Sequence, residues 1–156
     1  MSDPHGWNSW DAFLAIHDSH LRHYDHFILD STLNFTPTTT TIYWSGVLSC
    51  THNIEIYVSM RQESYFRGRQ RFVRTVEYSY HVLRRAGAEV YNLFRYDNIH
   101  VQPGHTSRHH LHRFDDSGHE IEPPLQVGDE GWPHLSDVIE QAYQWTLGHP
   151  EGPARE

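Results

Sequence analysis

A chain of 156 residues is close to the commonest size of one domain, and it hides roughly two-thirds of its unfolded surface, so a core needs neither disulfide nor metal. The formal net charge of −8 argues against a surface that binds nucleic acid all over. No stretch approaches the roughly 18 apolar residues of a membrane span, and the lone Cys50 excludes an intrachain disulfide.

Residues 1–10 lack the basic and apolar regions of a signal peptide, so a cytoplasmic location is expected. Cys50 ends an apolar run and reads as core filler. The chain has no lysine; its 12 formal cations are all arginine. Acid excess without lysine suits a salty cytoplasm or a GC-rich genome.

In chain order, Ser9 caps a predicted helix over Trp10–His23, with Phe13, Leu14, His17, Leu21 and Tyr24 at helical spacing. Residues 24–29 read as a short extended piece, and 36–41, with a proline and a threonine run, as a loop or an edge. Residues 39–50 read as a strand with a break at Gly46. Ile54, Ile56 and Val58 alternate with polar neighbours, a strand signal. Gly68 marks an arginine-rich turn. Arg71–Arg84 reads as a long strand, Arg85–Ala88 as a hairpin turn, and Glu89–Asp97 as the returning strand. Residues 98–107 read as a loop, 108–114 as a further strand, 115–118 as a turn and 123–131 as irregular. A last helix is expected over 133–147, stopped by Gly148, before a disordered tail at 150–156.

This order predicts one α+β domain over residues 1–149. Its expected frame is an antiparallel β-meander sheet of about five or six strands, flanked by an N-terminal and a C-terminal helix on one face.

Histidine is the compositional outlier, with 15 residues. His100, His105, His109, His110 and His112 fall close together, which leaves three readings open. One is a metal site of His100, His110 and His112, although the chain has neither a cysteine pair nor a His-Glu-x-x-His helix. Another is metal-free acid–base cleavage of RNA, which needs a base, an acid and a cation for the phosphorane charge. In that reading His100 and one of His110 or His112 form the acid–base pair. Tyr80 or Arg95 assists at the phosphate, and Asp97 orients an imidazole. The third reading is surface decoration in a lysine-free protein. It is the expectation for His5, His17, His20, His23, His26, His52, His119, His134 and His149.

The arginines gather in the middle of the chain and acids at its ends, the pattern of a local polyanion-binding face or of outward-facing strand residues. Arg71, Arg74, Arg84, Arg108 and Arg113 are the candidate RNA-binding cations.

Three pieces recur in order: Val76-Glu77-Tyr78-Ser79-Tyr80-His81, Leu93-Phe94-Arg95-Tyr96-Asp97-Asn98-Ile99-His100, and His109-His110-Leu111-His112. Together they resemble the core of the TumE toxin family, over about residues 43–147. The resemblance implies a toxin of a prokaryotic type II toxin–antitoxin pair, a cognate small antitoxin as partner, and RNA as substrate. A homo-oligomer stays open. No glycine-rich phosphate loop is present, so no cofactor is expected. Two other classes remain: a non-enzymatic module that grips nucleic acid or a nucleotide through arginine strands, and a His-ligated metal-dependent hydrolase.

Overall fold

The computed structural model describes residues 6–99, 109–128 and 132–149. Strand β1 (Asn8–Ser9) leads into helix α1 (Trp10–His23). Then come β2 (Ile28–Ser31), β3 (Asn34–Pro37), β4 (Thr41–Cys50), β5 (Ile54–Arg67), β6 (Gln70–Ala86), β7 (Glu89–Asp97), β8 (His110–Phe114), β9 (Glu120–Gln126) and helix α2 (Leu135–Gly148). Among the described residues the strands form one nine-stranded antiparallel sheet. No helix among these residues is long and apolar enough to cross a membrane.

The expected meander is present as the consecutive neighbours β4 to β9. Three short strands add to it: β2 and β3 pair with β4, and β1 pairs with β6. The edge reading of residues 36–41 holds in part, because Pro37 ends edge strand β3. Residues 24–27 form a turn, so the extended piece begins only at Ile28.

Two expectations are corrected. Residues 123–126 are not irregular but belong to β9, an edge strand that tolerates Pro123 and Pro124 because the ladder is irregular between Leu111 and Arg113. Gly46 does not break β4. Its φ of +154° and the backbone of Leu33 explain the glycine instead: an added Cβ would lie 2.4 Å from Leu33 Cα. The expected tail lies outside the described residues.

Alternation sorts the sheet into two faces. Ile42, Trp44, Leu48, Ile54, Ile56, Val58, Met60, Tyr78, Tyr80, Val82 and Phe94 are buried on one. Both helices cover this face. Trp10, Phe13 and His17 of α1 surround Trp44 at ring distances of 5.9, 5.8 and 4.9 Å. Ser9 caps α1 by accepting from the Ala12 amide at 3.1 Å. Helix α2 buries Val138, Ile139 and Ala142. Its Gln141 accepts from the Tyr96 hydroxyl at 2.9 Å. Burial pushes the Cys50 thiol up to about 12, as a filler residue requires. His17 is corrected from surface decoration: it is half-buried beside Trp44, and burial lowers its pKa.

A polar constellation on the open sheet face

Among the described residues no helix covers the second face of the sheet, and polar residues predominate in the middle of it. Two cross-strand rows run over it. Ser45, Ser59, Ser79, Asp97 and His110 stand opposite one another in turn. Beside them run Val47, Tyr57, His81, Arg95 and His112. A depression of about 430 Å³ opens where the rows meet, lined among others by Ser59, Tyr57, Ser79, His81 and Arg95.

Arg95 donates from Nε to Asp97 Oδ2 at 3.0 Å. The same oxygen lies 3.2 Å from His112 Nε2, while His112 Nδ1 lies 2.5 Å from Glu120 Oε1. The Asp97 and His112 side chains are each 7 % exposed, so this is a buried polar cluster rather than a surface contact. The terminal nitrogens of Arg95 have no bond to a described residue, and its side chain remains 34 % exposed. Asn98 fixes the end of β7: its Oδ1 accepts from the Tyr78 amide at 2.9 Å, and its Nδ2 donates to the Val76 carbonyl at 2.8 Å.

His81 stands opposite Arg95. Its Nε2 contacts Asn92 Oδ1 at 2.8 Å. An amide oxygen only accepts, so Nε2 carries the hydrogen and Nδ1 is the acceptor of the neutral ring. Burial lowers the pKa of His81; Arg95 and His112 add to the lowering, and the Asn92 bond opposes it.

The structure brings Arg95, Asp97, His110 and His112 together, with His110 and His112 on one face and Leu111 on the other, as alternation predicts. His110 is fully buried. Tyr80 is corrected. It pairs with Tyr96 on the helix-covered face, is 2 % exposed, and donates to Met60 Sδ at 3.6 Å. Burial raises its pKa, so it neither reaches this site nor ionises readily. His100 and Arg108 lie outside the described residues.

None of the remaining candidate cations lies in the two rows of this site. Arg71 donates to Ser64 Oγ at 2.5 Å and to the Thr38 carbonyl. Arg74 pairs with Glu63 at 2.7 Å. Arg84 is buried with its guanidinium 5.4 Å from the Tyr91 ring, and Arg113 stands opposite the buried Phe94 on the helix side.

The sequence reading missed His81, Asn92, Tyr57, Glu120 and the serine row. His81 carried a signal, since it falls on the phase opposite Tyr78 and Tyr80. Glu120 carried none, because β9 was not foreseen. Among the described residues no group of three or more His, Cys, Asp or Glu is placed to hold a metal ion. No protein-family model matches the sequence, no curated protein is similar to it, and no solved structure matches the fold.

Proposed function

We propose that this chain is the toxin of a type II toxin–antitoxin pair, held in check by a small cognate antitoxin, and that it cleaves RNA on the open sheet face by metal-independent acid–base chemistry. The observation that carries this reading is the cross-strand pair His81–Arg95: a histidine favouring its neutral form faces a guanidinium whose terminal N–H groups bond to no described residue, beside an open depression. The resemblance to TumE toxins supports the same substrate.

In this mechanism Arg95 holds the scissile phosphate with its terminal nitrogens and stabilises charge on the phosphorane. His81 Nδ1 takes the proton of the ribose 2′-hydroxyl. The bond from the 2′-oxygen to phosphorus forms as the bond to the 5′-oxygen breaks. The departing 5′-oxygen receives a proton, for which the sequence offers His100. The products are a 2′,3′-cyclic phosphate and a free 5′-hydroxyl. Asp97, His112 and Glu120 act as positioning residues that hold Arg95.

The test is cleavage of a defined RNA by the purified protein, with and without chelator, beside His81→Ala and Arg95→Ala. Each variant should lose roughly a hundredfold or more, the scale of a lost general base or charge-stabilising donor. Chelator should leave activity intact. Full activity in both variants would remove this reading, and loss in chelator alone would favour the metal-dependent hydrolase. Induction in a host without the antitoxin should slow growth and deplete RNA; normal growth with soluble, folded protein counts against a toxin.

A further inference from the structure

The β5–β6 hairpin ends in an arginine-rich turn that the mechanism above does not use. Arg67 pairs with Gln70 across it, and Gly68 takes the left-handed φ of +65° that the turn requires. Residues 61–74 hold five arginines against one glutamate, in a chain of net charge −8.

Aromatic rings surround this turn. Tyr65 stacks on Phe72 at 5.2 Å, and Trp7 meets Tyr65 edge-on at 4.8 Å. Trp7, Tyr65 and Phe66 remain 40, 42 and 52 % exposed; Trp7 and Tyr65 meet on one face of the hairpin, and alternation places Phe66 with Arg71 on the other. Two of the arginines brace the rings. The guanidinium of Arg71 lies 5.0 Å from the Phe66 ring centre and that of Arg74 lies 4.9 Å from Trp7. Arg67 and Arg69 are exposed and make no ion pair with a described residue.

We infer that this hairpin tip is a docking site for single-stranded nucleic acid, with Tyr65 and Trp7, on the face that carries His81, as stacking platforms and Arg67 and Arg69 as phosphate contacts. Exposed rings beside guanidiniums that pair with no described carboxylate suit a strand whose bases are unstacked and whose backbone is anionic. A duplex hides its base faces and offers charge alone. The substrate class rests on the ribonuclease reading, but the docking site does not. Gln70 and His81 are eleven residues apart on β6, roughly 35 Å in an extended strand. A stacked strand touching both places needs about ten nucleotides at 3.4 Å each.

The experiment measures fluorescence anisotropy of a labelled, uncleavable 2′-O-methyl RNA of about 16 nucleotides bound to the full chain, against a duplex of the same sequence. The single strand should bind at least about tenfold more tightly than the duplex. Y65A should weaken it about tenfold, the scale of one lost base stack. R67A/R69A should lower the slope of log affinity against log salt by about 1.4, for two phosphate contacts at about 0.7 each. These positions are exposed, so thermal melting of the variants should match wild type. Binding by both tip variants equal to wild type overturns the inference. So does equal affinity for the duplex, or full displacement by a polyglutamate peptide at matched charge, which would mark a dock for an acidic protein. Binding as expected from a protein that cleaves no RNA upholds the docking site and removes only the catalytic reading.

Discussion

Arg95 and His112 meet on a single oxygen, Oδ2 of Asp97, at 3.0 and 3.2 Å. Arg95 lies on β7 and His112 opposite it on β8, so the carboxylate ties two strands together and aims a guanidinium at the open face. The second His112 nitrogen is held by Glu120 of β9. Three strands thus converge on one imidazole.

Removing that imidazole leaves Asp97 buried with a lost partner. His112→Ala should therefore cost about 3 kcal/mol of stability, the scale of depriving a buried acidic group of a hydrogen-bond partner. Urea denaturation of the purified variant measures this. A loss below about 1 kcal/mol would mean that the network is slack and does not position Arg95.

The imidazole of His81 should titrate below the ordinary histidine value of about 6.5, because burial penalises its charged form and Arg95 repels it. Removing that repulsion favours the charged form, so Arg95→Gln should move the midpoint upward. Imidazole resonances followed by NMR against pH report both. For the wild type, the acid limb of the cleavage rate should follow the same lowered midpoint, with activity lost as His81 gains its proton. A midpoint above 6.5 in the wild type contradicts the base assignment.

Stability should fall as the solution is acidified. His17 and His81 both have folded-state pKa values lowered by burial, so the unfolded chain binds more protons than the folded one once the pH drops through about 6.5. Their contribution is complete above that value and is lost as pH falls through the lowered folded values. Denaturation midpoints at neutral and mildly acidic pH measure the trend. Replacing His17 with Gln should flatten it.

Gly46→Ala should be far worse than Gly87→Ala. Both glycines have positive φ, but an alanine Cβ at 46 meets Leu33 Cα at 2.4 Å and the Thr32 carbonyl oxygen at 2.6 Å, whereas at 87 nothing lies within 4 Å. The hairpin variant should lose about 1 kcal/mol from backbone strain alone. The strand variant should lose roughly 3 kcal/mol or more, because backbone must move. Equal thermal shifts for the two would show that the 32–33 segment yields freely.

Much of the frame is local chemistry and was legible in the sequence. The Ser9 cap and the apolar spacing from about Trp10 to His23 predict α1. Strict alternation at Ile54, Ile56 and Val58 predicts the buried phase of β5, and the Gly87 turn predicts the β6–β7 hairpin. That His110 and His112 oppose Leu111 follows from the two-residue period alone.

What only the tertiary structure decided is register. Ala86 pairs with Glu89 and Leu83 with Asn92; carried on without interruption, that ladder would set Tyr80 opposite Arg95. A bulge between Val82 and Leu83 shifts the pairing by one residue. It sends Tyr80 to Tyr96 beneath the helices and brings His81 to Arg95 on the open face. A one-residue shift exchanges the faces of a strand, and no local propensity marks where the extra residue falls. The pairing of Glu120 with His112 is of the same kind: the contact spans separate strands, and long-range packing rather than neighbouring sequence sets it.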